Sequence, residues 1–543
     1  MAVMTAPQRL DRAELLGRLA ARRTWDLAVV GGGATGLGVA LDAAARGFSV
    51  VLLEAEDFAK GTSSRATKLV HGGVRYLAQG NVALVREALA ERSTLLANAP
   101  HLAQRLPFVV PTFRRWEQPF YGIGLKLYDA LAGARGLGPT EWLSARRTAE
   151  LLPTVMRAGL AGGVRYWDGQ FDDARLAVAL ARTAAARGAL VLNHVAVTGL
   201  MRAGGKVLGV IVTDAESGRR HEVAARCVIN AAGVWVDALR DMDRDPGAPA
   251  RAPMVAPSQG VHLVVDRAFL AGTHALMVPK TSDGRVLFAV PWLGKTILGT
   301  TDTPRDDLAL EPQAFTAEVD FILGEAKRYL ARAPARADVR SVWVGLRPLV
   351  RPPSDERADG EGNGSARADT KALSREHTVV VGRSGLVTVT GGKWTTYRSM
   401  AEDVLERAMA RGLLPERPGG ATVRLPLVGA AAGRPLAEPP GEHGYGSEAE
   451  ALRALPGAGR WLWRDAESGS GGLSEAMVRF AARHEMARTV EDVLARRCRL
   501  LFLDAREAAR QAAPVAELLA EELGRAVDPG PFIALAERYA IVP

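Results

Sequence analysis

Only two cysteines, Cys227 and Cys498, stand in 543 residues. Thiols so few and so far apart build neither a disulfide framework nor a cysteine metal site, and a reducing compartment is the simplest setting. Lysine is scarce beside arginine, although the net charge is +9. No Lys/Arg-rich tract, RNP motif or zinc-finger spacing accompanies that charge, so nucleic acid is not an expected partner. An anionic substrate or membrane surface remains, and a coding preference for arginine explains the bias equally well. The run of about 18 apolar residues that a spanning helix needs is missing, and Met1–Thr24 lacks the apolar segment of a signal peptide. What remains is an ordinary globular composition, 48% hydrophobic and 24% charged, long enough for two to four domains.

The pattern opens with a βαβ unit. Trp25 to Val30 reads as a buried strand, Thr35 to Arg46 as a helix and Ser49 to Leu53 as a second strand. Helical periodicity predicts helices over Asn81 to Asn98, Asp173 to Arg187 and Ser399 to Arg411. Strands are predicted at Val207 to Thr213, Cys227 to Asn230 and Val261 to Asp266, with hairpins at Val286 to Leu298 and Val379 to Thr390. This alternation is that of an α/β protein. Pro352 to Lys371 is polar and aperiodic and is expected to be a disordered loop. Arg411 to Gly446, rich in Pro and Gly, reads as a linker. Beyond it, Ser474 to Phe502 and Arg506 to Ala526 predict a separate all-α domain.

The strongest motif is Val30-Gly31-Gly32-Gly33-Ala34-Thr35-Gly36. Gly31 suits the tight turn after the strand, Gly33 the close approach of backbone to a pyrophosphate, and Gly36 the packing of helix on sheet. Glu54 closes the second strand at the place where an acid accepts from a ribose 2′-hydroxyl and disfavours a 2′-phosphate. The motif leaves NAD and FAD both open; the extra Gly32 and the N-terminal placement lean to FAD. So does the strand-to-turn segment Val228 to Trp235, whose Ala232 and Gly233 allow a close backbone approach to a flavin. Gly294-Lys295-Thr296 mimics the end of a phosphate-binding loop, but Ala289 stands where that loop needs glycine, and a strand pattern follows.

Four further stretches carry a resemblance: Gly61 to Leu77 (GTSSRATKLVHGGVRYL), Gly169 to Arg175, Gly345 to Leu349 and Gly391 to Arg398 (GGKWTTYR). With His484 to Asp492 near the C-terminus, they make the chain resemble the aerobic FAD-dependent glycerol-3-phosphate dehydrogenases along most of its length. The resemblance implies a fold like that of D-amino-acid oxidase: a Rossmann-like FAD domain assembled from discontinuous segments, an antiparallel β substrate domain, and a C-terminal helical domain. The expected divisions are an extension 1–24, an oxidoreductase region 25–410, a linker 411–446 and a helical domain 447–543. Within the oxidoreductase region, FAD-binding segments are expected at about 25–105, 186–255 and 335–410, and substrate-domain segments at about 106–185 and 256–334.

The resemblance also implies oxidation of sn-glycerol 3-phosphate to dihydroxyacetone phosphate, with electrons passing to a membrane quinone. The expected setting is the cytoplasmic side of the cell membrane, held peripherally on an anionic surface; no metal is expected, and a homodimer is left open. The implied FAD contacts are Gly31, Gly33, Ala34, Thr35, Gly36, Glu54, Thr62, Ser63, Ala232, Gly233, Gly392 and Thr395. The implied substrate pocket holds Arg75, Tyr76, His262, Arg347, Arg375 and Lys393. Such a set makes chemical sense, since a phosphomonoester dianion suits arginine's planar fork. Arg347 and Arg375 are assigned to the phosphate, with Arg75 and Tyr76 assisting. The C2 hydroxyl needs a general base near neutrality, for which His262 and Lys393 both stand. Trp394 departs from the smaller aliphatic expected there and bears on packing beside Lys393. The segment Phe113 to Leu131, mixing aromatics, aliphatics and cations, is the expected membrane contact, with the C-terminal Arg496, Arg497 and Arg499 as the alternative face. The runner-up function is an FAD-dependent oxidase of glycerol 3-phosphate or of an amino acid using O₂, against which the arginine set argues.

Overall fold

The computed structural model describes residues 6–74, 77, 80–245, 247–249, 251–351, 376–465 and 469–543. The stretch Pro352–Lys371 and the candidates Arg75, Tyr76 and Arg375 lie outside them. Two large sheets organise the rest. In the first, Trp25–Val30 lies between Val50–Leu53 and Arg220–Asn230, all parallel. Leu190–Leu192 continues one side, Val387–Thr390 and Thr378–Val381 the other. These strands are short apolar runs because helices cover the sheet. The helix Ala34–Ala45 is buried from Gly36 to Ala44 and has no polar face. It packs between Tyr397–Ala410 and Asp173–Ala186.

The second sheet is ten-stranded and mostly antiparallel. Its long strands are Ala103–Thr112, Gly162–Phe171, Val255–Asp266 and Ser341–Val350. Three segments fall on the other side of the expected division. Asp173–Ala186, expected with the substrate half, packs on the helix of the βαβ unit. Leu69–Val70 pairs with Gly162–Phe171 in the second sheet. Ser341–Val350 pairs along its length with Val255–Asp266, which sets Arg347 opposite Ser258 in the substrate sheet. Strand partnership depends on long-range register, which local periodicity does not carry.

Three other expectations change. The N-terminal extension contains a helix, Arg12–Ala21, capped by Asp11 and docked through buried Leu15 and Leu19. The expected linker is a packed strap: Leu425, Leu427 and Leu436 are buried, and Leu293 N–H donates to the Leu436 carbonyl at 2.7 Å. The C-terminal region is not wholly helical, since Trp461–Arg464 and Gly472–Ser474 form a hairpin. Within Ser474 to Phe502 the helices are broken where Met486 and Arg499 take left-handed backbone angles (φ 56° and 68°).

Buried ion pairs fasten the C-terminal region to the first sheet. Arg496 and Arg497 both bond Asp57, Asp492 meets His194 at 3.0 Å, and Arg175 holds Glu485 through both carboxylate oxygens (2.7 and 2.9 Å). Asp57, His194 and Asp492 converge as metal ligands would. Arg496 and Arg497 already neutralise the two carboxylates, so the cluster is an ion-pair node.

Candidate active site

A cavity of about 300 Å³ opens between the two sheets. Gly33, Ala34 and Thr35 line one end. There the backbone is shaped for close approach. Gly31 has φ +108°, and a methyl on it would come 2.6 Å from the Ala231 carbonyl oxygen. A methyl on Gly36 would be driven into the Gly31 carbonyl. Gly33 caps the helix Ala34–Ala45 without a side-chain bond of its own, while Ser63 Oγ accepts from Ala34 N–H at 2.9 Å. A helix N-terminus at the wall of a cavity offers backbone N–H groups and a positive dipole end. These features fit the pyrophosphate of a dinucleotide.

Glu54 shapes the same loop. Its oxygens accept from Gly32 N–H (2.6 Å) and Glu56 N–H (2.9 Å), and burial pushes its carboxyl up from the ordinary range against those two bonds. A ribose hydroxyl would share oxygens that already hold the glycine turn. Of the expected cofactor contacts, Thr62, Ser63, Gly233, Gly392 and Thr395 also line the cavity. Ala231 rather than Ala232 lines it, and Ala232 N–H donates to the Asn230 side chain (3.3 Å).

The other end is cationic. Arg347 projects from Ser341–Val350 and donates to Thr300 Oγ1 at 3.2 Å, with Asp302 at 3.5 Å. Gly260 leaves the space it occupies, since a Cβ there would collide with the guanidinium. Gly391 and Gly392, both at positive φ (81° and 74°), make the tight turn that carries Lys393 to the cavity wall. Trp394 ties that turn to the cofactor end by donating from Nε1 to the Ser63 carbonyl at 2.8 Å, and it packs edge-on against Phe171 and Tyr397.

His262 lies between these ends, 2% exposed, stacked on Trp343 at 4.0 Å. Its Nε2 shares a 2.9 Å hydrogen bond with Thr67 Oγ1. Burial first, then the charges of Lys68 and Arg347, push its pKa well below the ordinary histidine value. The expected base poised near neutrality is thus corrected. These surroundings favour the neutral imidazole, and Thr67, itself on the cavity wall, shares the hydrogen bond at Nε2. Thr67, Lys68 and Trp343 are the residues that sequence reasoning passed over. Thr67 and Lys68 sit inside the quoted 61–77 stretch, whereas Trp343 carried no local signal.

Residues 26–398 match the FAD dependent oxidoreductase family, and 442–528 match the C-terminal domain of alpha-glycerophosphate oxidase. A mitochondrial glycerol-3-phosphate dehydrogenase of Arabidopsis thaliana is 40% identical over 95% of this chain and 86% of its own length. The mitochondrial glycerol-3-phosphate dehydrogenase of Homo sapiens is also 40% identical, over 92% of this chain and 70% of its own. The crystal structure of a Bacillus halodurans glycerol-3-phosphate dehydrogenase complexed with FAD superposes with a TM-score of 0.74 at 29% identity, covering 98% of both chains. The chain belongs to the family of FAD-dependent glycerol-3-phosphate dehydrogenases.

Proposed function

We propose that this protein oxidises sn-glycerol 3-phosphate to dihydroxyacetone phosphate and passes the electrons to a membrane quinone. The observation that carries the reading is the union, in one cavity, of the glycine-lined helix N-terminus with Arg347, Lys393 and His262. Gly31, Gly33, Gly36, Thr62, Ser63 and Thr395 would hold FAD, which supplies the hydride acceptor when bound. Arg347, with Arg75, Tyr76 and Arg375, takes the phosphate. Neutral His262 takes the C2 hydroxyl proton, relayed through the Thr67 hydroxyl that bonds its Nε2. Lys393 polarises the developing carbonyl oxygen. Turnover of glycerol 3-phosphate with an artificial acceptor, repeated with O₂ alone, tests this reading. A flavin-loaded protein inert with the artificial acceptor would sink it, and equal rates with O₂ would favour the oxidase.

The membrane half of the proposal rests on the helix Glu117–Ala132. Trp116, Phe120, Ile123 and Leu127 are 53–65% exposed. Their spacing places them along one face, while Leu125 and Tyr128 are buried on the other. Among the described residues no helix is long and apolar enough to cross a membrane. Rings and aliphatics of this kind suit the headgroup level, and Arg114, Arg115 and Lys126 suit anionic lipid. Wild type should pellet with anionic vesicles and release partly at high salt. If Trp116→Ser with Phe120→Ser keeps its flavin and pellets equally well, the contact lies elsewhere.

A further inference from the structure

Lys68 is fully buried, an uncommon place for an ammonium. Its Nζ donates to the Ser64 carbonyl and to Asp173 Oδ2, both at 2.7 Å. Three rings surround it: Trp343 at 4.5 Å, Trp292 at 5.2 Å and Phe502 at 5.4 Å. Arg499 reaches the same Ser64 carbonyl (2.7 Å) and the other oxygen of Asp173 (3.1 Å). Two cations therefore lean on one carboxylate, with Asp172 farther off at 3.7 Å from Arg499. The indole of Trp343 that carries Lys68 is the one on which His262 stacks, nearly parallel at 16°.

We infer that Lys68 is a positioning residue whose charge, held beside the Trp343 indole by Asp173 and the Ser64 carbonyl, adds to burial in keeping His262 in the neutral form that accepts a proton. The inference rests on His262 being the base. The charges facing His262 are Lys68 and Arg347; those facing Lys68 are Asp173, Asp172 and Arg499. Lys393 and Arg65 border the same cavity, and Arg65 is neutralised by Glu311 at 2.6 Å. Burial brings the Lys68 ammonium down to about 7 even with Asp173 beside it. Lys68 is accordingly charged in the acid range where an ordinary histidine would be protonated and lost as a base. An aromatic wall in a water-poor site lets one charge act on the other with little screening.

The test is the pH profile of kcat for glycerol 3-phosphate with an artificial acceptor. kcat is the right parameter because the free substrate phosphate itself titrates near pH ~6. Lys68→Gln keeps a donor for Ser64 and removes the charge; Lys68→Met removes both. In flavin-loaded protein each should move the acid limb to higher pH. An unmoved limb in either variant overturns the inference. His262→Asn separates the two levels: a limb that survives it means that His262 is not the base, whatever Lys68 does. Wild type decides the matter even if neither Lys68 variant folds, because an acid limb at or above the ordinary histidine value refutes the inference.

Discussion

Replacing Arg347 by alanine removes the described arginine that lines the cationic end of the cavity, where it borders Asp302 and Thr300. Arg65, the other lining arginine, is spent on Glu311 at 2.6 Å, whereas Asp302 stands 3.5 Å from Arg347. The side chain is 25% exposed. Its pair with a phosphate is therefore partly desolvated, and losing one partner of such a pair costs about 2–5 kcal/mol. At about 1.4 kcal/mol per tenfold, kcat/KM should fall by roughly 30- to 4000-fold. Arg347→Lys should recover only part, because a point charge lacks the planar fork and reaches less far. Steady-state kinetics with an artificial acceptor gives the ratio, and flavin absorbance per chain guards against unfolding. A flavin-replete Arg347→Ala enzyme with wild-type kcat/KM would refute the phosphate assignment and leave the cavity without its described anchor.

Gly36→Ala should yield protein without bound flavin, since its methyl meets the Gly31 carbonyl and distorts the cradle; a variant with normal flavin content would mean that the cradle tolerates the shift. Asp57→Ala leaves buried Arg497 without its carboxylate partner, while Arg496 keeps Glu491 and Asp492, and should destabilise docking of the C-terminal region by about 3–5 kcal/mol. Urea unfolding followed by limited proteolysis measures it, and an unchanged midpoint would count against the node. Burial would raise the Asp57 carboxyl, but Arg497 and Arg496 hold it below the usual range, as His194 and the same arginines do for Asp492. Depressed carboxyls contribute stability above their unfolded pKa of about 4 and lose it as pH falls through the lower folded value. Resistance to proteolysis should therefore hold at pH ~5 and drop in stronger acid, and a loss already complete at pH ~5 would contradict the ion-pair account.

The elements that were legible are those whose signal is local. The βαβ unit, the glycine turn and the helices at Val82–Asn98 and Tyr397–Ala410 follow from runs, periods and caps a few residues long. Parts of the 61–77 and 391–398 stretches, among them Thr62, Ser63, Gly392 and Thr395, line the cavity, and they were legible for the same reason: their signal is local. Trp394 was legible as a departure but not as a tie between two turns, because its partner Ser63 is distant in the chain.

By itself, then, the sequence determined the family and the cofactor class, since residue type and short spacing settle those. Tertiary structure decided what depends on register and on burial. It put Arg347 in the substrate sheet through pairing with Val255–Asp266, and turned the linker into a strap by burying its leucines. It set His262 in surroundings that favour the neutral imidazole. An imidazole's ordinary pKa is a property of the residue, but the depression at His262 comes from desolvation and from Lys68 and Arg347, which only folding brings beside it.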